Sequence, residues 1–281
     1  MTIAGALRRG EEAFRAAGCD TPRLDACVLL AAQIQRDKAF LFAHGEDVLP
    51  PERVAGYEDM VSQRLSGRPV SYILAWKEFY GLKFFVDDRV LVPRPDTEVL
   101  VDTALEILKE EPGIRRIHDV CTGTGCIPIA IACSFPGGGL EISASDISAP
   151  ALEVFRVNCG NILGRVPVHA RRDLLCGLAG PFDMITANPP YIKSADCRRM
   201  RDSGWPEPEL ALDGGEDGIV IIRRLVAQAE TSLAEGGLLL LEASPEQADS
   251  ILRMLEDRGW GGYRAVRDLA GRARVIVGRR P

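Results

Sequence analysis

The sequence lacks any apolar stretch long enough to span a membrane, and residues 1–5 lack the apolar core of a signal peptide. Histidine is scarce, with three residues far apart in the chain, and none of the eight cysteines belongs to a Cys-x-x-Cys pair. We therefore expect neither a membrane partner nor a zinc site or other metal. Without a secretory segment, the cysteines are expected to be reduced thiols of a cytoplasmic protein.

An excess of positive charge is also absent. The formal net charge is −6, and residues 1–92 carry 12 basic and 13 acidic side chains. The longest basic cluster is Arg198-Arg199-Met200-Arg201. Proteins that hold nucleic acid neutralise its phosphates with Lys and Arg, so we expect no direct nucleic-acid binding. The sequence also shows no internal repeat and no low-complexity tract.

The first part of the chain predicts a small helical bundle over residues 1–75. Apolar residues recur there at helical spacing, and Pro22, Leu49-Pro50-Pro51 and Gly67-Arg68-Pro69 separate the segments. Residues 77–86 and 90–92 are rich in aromatic and β-branched side chains and flank Asp87-Asp88, which predicts a β-hairpin linker over 76–92 with its turn at the two aspartates. The following Val92-Pro93-Arg94-Pro95 forces an extended connection, so the next domain is predicted to span 93–281.

From residue 94 onward, predicted strands alternate with predicted helices, which is typical of an α/β protein with a mostly parallel sheet. Gly137-Gly138-Gly139 is expected at a loop tip. The final two strands are separated by residues 267–273 alone, too few for a parallel crossover, so they should form an antiparallel hairpin. A parallel sheet that ends in such a hairpin resembles the Rossmann-like class I methyltransferase fold. The predicted strands are 115–120, 141–145, 166–170, 182–187, 237–242, 263–266 and 274–277; the predicted helices are 97–109, 127–135, 150–161, 218–234 and 245–259.

A glycine-containing loop after the first of these strands predicts a cofactor site. Gly123 and Gly125 permit a tight turn and close backbone approach, with Thr122 and Thr124 beside them. The loop lacks the third glycine of the dinucleotide fingerprint, so its spacing alone is weak evidence. Asp146, at the end of the next strand, can accept both hydroxyls of a ribose; it could instead cap the following helix.

Two further aspartates are candidate cofactor ligands. Asp119 could accept from the cofactor's ammonium, directly or through water, or could bond the backbone of the turn. Asp173 follows the third predicted strand and could accept from an adenine amine, or could be a solvated loop residue.

The tetrapeptide Asn188-Pro189-Pro190-Tyr191 directly follows the apolar strand predicted at 182–187. Two consecutive prolines end a strand, so the tetrapeptide should form a loop at the carboxyl edge of the sheet, where open α/β sheets bind ligands. The Asn188 oxygen and the Pro189 carbonyl can each accept one N–H of a planar NH2 group, Pro190 stiffens the loop, and Tyr191 can pack against the group. A simple strand-ending turn is the alternative.

These motifs together resemble the glutamine N5-methyltransferases of peptide-chain release factors, over nearly the whole chain. The matching segments are Phe79-Tyr80-Gly81-Leu82, Val90 to Glu98 with its Arg94-Pro95-Asp96-Thr97-Glu98, Asp119 to Gly125, Asn188 to Tyr191, Glu207-Pro208, Ala211 to Gly218, and Asp268 to Val275. The resemblance implies S-adenosylmethionine as cofactor, the glutamine of a Gly-Gly-Gln motif as substrate, and Asn188, Pro189 and Tyr191 as catalytic residues. It also implies that Asn188, Pro189, Pro190 and Tyr191 bind the substrate and that Asn188 contacts the cofactor. It further implies a monomer whose helical domain docks the release factor.

Several alternatives stay open at this point. Asn-Pro-Pro-Tyr also occurs in enzymes that methylate exocyclic adenine amines, and a sister family methylates a glutamine of a large-subunit ribosomal protein. A non-catalytic nucleotide-binding module would explain Gly123, Gly125 and Asp146, but not the tetrapeptide. Cys121 and Cys126 depart from the usual cofactor loop, as Trp205-Pro206 departs from the usual residues before Glu207. We expect the thiols to be non-catalytic, although a helix N-terminus beside Cys126 would lower a thiol pKa.

Overall fold

The structure, a computed structural model, describes residues 1–137 and 139–281; Gly138, in the predicted loop tip, lies outside the described residues. The chain forms two compact units. One contains Met1–Trp76 with Gly204–Pro206, and the other contains Lys77–Ser203 with Glu207–Pro281. None of the helices in the described part of the chain has the length and apolar character that crossing a membrane requires.

The first unit is built from five helices around a core that includes Phe14, Leu29, Leu30 and Tyr57. Prolines begin two of these helices because a fixed φ suits the first helical turn, where the missing N–H costs no hydrogen bond. Thr2 and Asp37 cap two others by accepting backbone N–H groups. The helices are α1 (Ile3–Ala16), α2 (Pro22–Ile34), α3 (Lys38–Ala43), α4 (Pro51–Leu65) and α5 (Val70–Leu74).

A two-stranded hairpin follows, formed by β1 (Trp76–Phe79) and β2 (Leu82–Phe85). The chain does turn at Asp87-Asp88, where Val90 N donates to Asp87 O at 3.2 Å, but this turn follows β2, so the prediction that it joins the two strands is wrong. The strands are joined by Tyr80-Gly81, whose φ angles of 52° and 70° are both positive, as a tight two-residue hairpin turn requires. Residues 90–92 form no strand. The apolar residues of that segment misled the prediction because Val90 and Val92 are buried as extended chain and not as sheet.

The second unit contains a seven-stranded sheet in the order β5-β4-β3-β6-β7-β9-β8. Strands β3 to β7 run parallel, while β9 pairs antiparallel with both β7 and β8, so the expected antiparallel final hairpin is confirmed. The strands are β3 (Arg116–Val120), β4 (Glu141–Asp146), β5 (Val168–Arg171), β6 (Phe182–Ala187), β7 (Leu233–Glu242), β8 (Gly261–Arg267) and β9 (Ala273–Arg279). The helices are α6 (Glu98–Glu110), α7 (Cys126–Ser134), α8 (Ala149–Leu163), α9 (Ser194–Asp202), α10 (Val220–Ser232) and α11 (Ala248–Asp257).

Helices cover both faces of this sheet. Leu238 and Leu240 of β7 belong to the apolar cluster under α6, α7 and α8, whereas Leu239 and Leu241 belong to the cluster under α10 and α11. Successive side chains of a strand point to opposite faces, so a continuous leucine run serves both layers. This two-sided burial leaves the strand ends as the place where polar groups can meet a ligand.

Two elements differ from their sequence predictions. Helix α9 was not predicted, because it is polar and buries a single residue, Cys197, so it carries little amphipathic pattern. Strand β7 begins at Leu233, whereas the prediction began at 237 and extended the preceding helix to 234. The glycines at 236 and 237 suggested a break, but β7 continues through them with an irregular register against β6.

Candidate active site

The candidate site lies at the carboxyl edge of the sheet, where β3 and β6 are neighbours. After β3 the chain continues to β4 on one side, and after β6 it continues to β7 on the other, which makes this the topological switch point where open α/β sheets form a crevice. Val120 is paired with Ala187, so the glycine loop and Asn188 leave the sheet side by side. They line one cavity, together with Arg89–Arg94, Thr97, Cys121–Thr124, Cys126, Ile127, Asp146–Ser148, Ala151, Pro190, Pro208, Leu210 and Ala211.

The two glycines of the loop have different physical roles. Gly123 has a φ of 51° and no other atom within 4 Å of where a Cβ would stand, so its backbone faces open space. Gly125 has a φ of 79°, and a Cβ there would stand 2.5 Å from the Phe155 ring. Gly125 therefore permits the close packing of α7 on α8, whereas Gly123 leaves the cavity accessible at the backbone.

Asp146 organises the floor of this cavity. One carboxylate oxygen accepts the Gly123 N–H at 2.9 Å, and the other accepts the Ser148 N–H at 2.8 Å. The residue that caps α8 is Ser148, so the alternative assignment of Asp146 as that cap is wrong. Burial raises the pKa of Asp146 although the backbone N–H groups oppose the shift. Each oxygen retains a lone pair toward the cavity that Asp146 lines.

Asp119 lies beneath the cavity and not on its surface. Its side chain is fully buried, and Oδ1 accepts from the Thr186 hydroxyl at 2.6 Å. Oδ2 and the buried Oγ1 of Thr122 form no well-aligned hydrogen bond, although the Thr122 hydroxyl is close enough to lower the pKa of Asp119. Burial raises the pKa of Asp119 to about 7, with hydroxyl contacts from Thr122 and Thr186 opposing it. Binding of the cofactor's ammonium group by Asp119 remains a prediction. Thr122, which lines the cavity, is the neighbour that lies between a ligand there and this carboxyl.

Asp173 lies apart from the residues that line the cavity. It is half-exposed and pairs with Arg224 of α10 at 2.6 Å. An adenine-binding role for Asp173, which stays a prediction, would require this ion pair to open or to share its carboxylate.

The expectation of a lowered thiol pKa in the cofactor loop is wrong. Burial raises the pKa of Cys126 to about 12, and burial together with the nearby carboxylates of Asp146 and Asp119 raises that of Cys121. Desolvation disfavours the thiolate more than the start of α7 favours it. Both thiols line the cavity as neutral, small apolar groups.

The tetrapeptide presents only part of itself to the cavity. Asn188 and Pro190 line it, Pro189 is buried, and Tyr191 is partly buried. The Asn188 amide nitrogen donates to Thr97 Oγ1 at 3.2 Å, and the Tyr191 phenol donates to Glu242 at 3.0 Å. No donor among the described residues is bonded to Asn188 Oδ1. That oxygen is therefore available as an acceptor in the cavity.

The segment 212–218 holds the tetrapeptide from behind. Ile192 N donates to Leu212 O at 2.9 Å, and Gly214 N donates to Ile192 O at 2.7 Å. A Cβ on Gly214 would stand 2.7 Å from Tyr191 Cα and 2.8 Å from Pro190 O, so only glycine permits this approach. Gln247 adds a bond from its amide to Tyr191 O at 2.8 Å. Three hydrogen bonds and one close backbone approach therefore hold the chain where the tetrapeptide ends.

Glu207 binds the segment 92–94, which lines the cavity. Its buried carboxylate accepts the Val92 N–H at 3.0 Å and pairs with the Arg94 guanidinium. Arg94 lines the cavity and is partly exposed. The ion pair thus joins two segments that the sequence had related only by family resemblance, 92–94 and 207–208.

The arrangement favours orientation of an amine over proton abstraction. The described residues that line the cavity include no histidine and no lysine, and their thiols are neutral. Within the described ranges, no group of three or more His, Cys, Asp or Glu is placed to hold a metal ion. Thr97 and Glu242, which contact the tetrapeptide, were not predicted as site residues. Glu242 could have been found from the sequence, because it is a carboxylate at the end of an apolar strand. Thr97 belongs to the Arg94–Glu98 segment that resembles the family, but the sequence assigned no role to it.

Comparison with known proteins agrees with this geometry. A model described as the PrmC N-terminal domain matches residues 5–74, and one described as a methyltransferase small domain matches residues 97–200. Release factor glutamine methyltransferases of Koribacter versatilis and Deinococcus radiodurans are each 36% identical to the chain and cover 100% of it and 99% of their own length. A Thermus thermophilus 16S rRNA methyltransferase, solved with AdoMet and guanosine, superposes with a TM-score of 0.52 at 16% identity, over 73% of this chain and 50% of that one, which shows the shared fold. The chain belongs to the release factor glutamine methyltransferase family.

Proposed function

We propose that this enzyme transfers a methyl group from S-adenosylmethionine to the side-chain amide nitrogen, N5, of the glutamine in the Gly-Gly-Gln motif of peptide chain release factors. The observation that carries the proposal is the free Asn188 Oδ1 in the same cavity as Gly123 and Asp146. An in-plane amide acceptor thus lies beside a loop suited to a nucleoside. The names of the full-length relatives support the release factor as substrate.

The residues that would hold S-adenosylmethionine are Thr122, Gly123, Thr124 and Asp146, with Asp119 beneath them. The open space at Gly123, and the buried Asp119 Oδ2 beside the Thr122 hydroxyl with no well-aligned hydrogen bond between them, fit a ligand with a ribose and an ammonium group. A structural neighbour was solved with AdoMet. When bound, the cofactor supplies an electrophilic methyl group.

Asp146→Ala is expected to weaken S-adenosylmethionine binding about 10- to 100-fold, because hydrogen bonds to a charged group contribute about 1.5–3 kcal/mol. Calorimetric titration of the full chain measures the change. Asp196→Ala, at an exposed carboxylate of α9 paired with Arg199, is the matched control and should leave the affinity unchanged. Equal S-adenosylmethionine affinities of the wild type and Asp146→Ala would show that Asp146 holds the glycine loop but does not bind the cofactor.

The chemistry requires orientation more than a base. An amide nitrogen is a poor nucleophile because its lone pair is delocalised into the carbonyl, and it has no readily removed proton at neutral pH. Asn188 Oδ1 and the Pro189 carbonyl would each accept one N–H, hold the nitrogen toward the methyl group, and favour the positive charge that develops on it. The Tyr191 hydroxyl is engaged by Glu242, so its ring is the part that would pack against the amide.

The helical unit is proposed to dock the body of the release factor, because the small glycine-flanked loop that carries the glutamine offers little surface for recognition. Deletion of residues 1–75 should leave cofactor binding intact and raise the KM for an intact release factor far more than the KM for a short Gly-Gly-Gln peptide. Steady-state kinetics with both substrates measure the difference. Parallel increases in the two KM values would exclude a docking role.

Mass spectrometry tests the proposed function directly. The protein and S-adenosylmethionine are incubated separately with a release factor, with a large-subunit ribosomal protein and with DNA. We expect one added methyl group on the release factor, located by fragmentation to the Gly-Gly-Gln glutamine, and none on the other two. If only the ribosomal protein, or only adenine in the DNA, were methylated, the enzyme would perform the same methyl transfer on a different substrate.

A further inference from the structure

A chain of polar side chains runs behind the tetrapeptide. Asn188 Nδ2 donates to Thr97 Oγ1 at 3.2 Å, and Tyr191 donates its phenol proton to Glu242 Oε1 at 3.0 Å. The other carboxylate oxygen, Oε2, is buried with no well-aligned hydrogen bond, and the Thr97 hydroxyl is a neighbouring donor that lowers the pKa of this carboxyl. Thr97 is almost fully buried, and Glu242 is fully buried. Two side chains of the tetrapeptide therefore converge on one carboxylate that has no access to solvent.

The donors and acceptors of this chain determine which way the Asn188 amide faces. An ionised carboxylate can only accept, and a hydroxyl carries a single proton. Thr97 Oγ1 already accepts from Asn188, and the otherwise unpartnered Glu242 Oε2 is the acceptor available to its proton. The amide nitrogen must then point to Thr97, which leaves Asn188 Oδ1 for the cavity.

Glu242 is well placed for this role. It ends β7 and is paired with Val275 of β9. Burial raises the pKa of Glu242, and the Thr97 and Tyr191 hydroxyls and the charge of Arg274 oppose that shift. Arg274 also contacts Asp96 at 2.8 Å, directly before Thr97 in the chain. Burial and the Glu242 carboxylate raise the pKa of Tyr191, so its phenol remains a proton donor. Tyr191 thus donates to one oxygen of the Glu242 carboxylate, and the second oxygen is left for Thr97.

We propose that Thr97 and Glu242 are positioning residues that hold the Asn188 carboxamide with its oxygen toward the substrate amide. This inference rests on the proposed function only for the identity of the substrate. Without the Thr97 contact, Asn188 could rotate its amide by half a turn and present two N–H donors to the substrate NH2, which would repel it. The cost of that orientation would appear in the methyl-transfer step and not in cofactor binding.

A kinetic cycle separates positioning from general support of the fold. Thr97→Val, nearly isosteric but without a hydroxyl, is expected to lower kcat about 10-fold, the value of one buried hydrogen bond, with the S-adenosylmethionine affinity unchanged. Thr97→Ser, which keeps the hydroxyl, should restore most of the rate. In an Asn188→Ala background, Thr97→Val should cause no further loss. An equal loss in both backgrounds, or a wild-type rate for Thr97→Val, would overturn the inference.

An amide NMR spectrum of the full chain tests the contact without any methyl acceptor. The Asn188 side-chain signal, identified by its absence in Asn188→Ala, should show one proton shifted and protected from exchange in the wild type and in Thr97→Ser. Thr97→Val and Glu242→Gln should both move it, since the glutamine NH2 offers Thr97 a competing donor. An Asn188 signal that Thr97→Val leaves unchanged would refute the contact whatever the activity. A protein with the contact that methylates no release factor would instead refute the proposed function.

Discussion

Asn188→Ala is expected to lower kcat by about 10²–10³, the usual loss when one preorganised hydrogen-bonding partner of a transition state is removed. The S-adenosylmethionine affinity should change little, because the glycine loop and Asp146 are proposed to supply the main contacts to the cofactor. Single-turnover rates and calorimetric titration of the same preparation measure the two quantities. A rate close to that of the wild type would show that the tetrapeptide only ends the strand and has no role in methyl transfer.

Asn188→Asp is the companion variant that separates charge from orientation. If negative potential alone limited the rate, a carboxylate at 188 should match or exceed the wild type. The structure predicts otherwise, because a carboxylate cannot donate to Thr97 and would compete with Glu242 for its single proton. We expect this variant to be impaired, though less than Asn188→Ala. A rate above that of the wild type would remove orientation from the mechanism.

Asp119→Asn is expected to stabilise the ligand-free protein at pH 8 by up to about 4 kcal/mol, since each pKa unit corresponds to about 1.36 kcal/mol. Folding raises the pKa of Asp119 from an ordinary value of 3.8 to about 7. The folded state therefore keeps the proton that the unfolded state releases, and stability falls as the pH rises from about 4 to about 7. Asparagine has the same shape and no charge, so its advantage should vanish near pH 4 and be complete above pH 7.

Urea unfolding at several pH values between 4 and 8 measures this difference. Asp173→Asn is the matched control: its carboxylate is half-exposed and paired with Arg224, so its effect on stability should stay within about 0.5 kcal/mol. Stability curves for the wild type and Asp119→Asn that run parallel across this range would show that Asp119 titrates normally. The variant should also bind S-adenosylmethionine less well if Asp119 supports the ammonium group.

The sequence by itself predicted the parts of this protein that depend on local pattern. Strand β6 was located correctly because a run of six residues, five of them buried, is followed closely by Pro189-Pro190, and proline cannot continue a sheet. Gly123 and Asp146 were predicted to lie together because parallel strands present their carboxyl ends at one edge, and both line the cavity. Alternation of strands and helices, with a final connection too short for a crossover, predicted the sheet and its antiparallel end.

Contacts and electrostatics were decided only by the tertiary structure. Thr97 and Glu242 meet Asn188 and Tyr191 from distant parts of the chain, and no spacing rule relates a residue before α6 to the end of β7. The raised pKa values of Cys126 and Asp119 arise from burial, which depends on what packs around a group and not on its neighbours in sequence. A motif could therefore indicate which atoms act on the substrate, but only the fold could determine which groups orient those atoms.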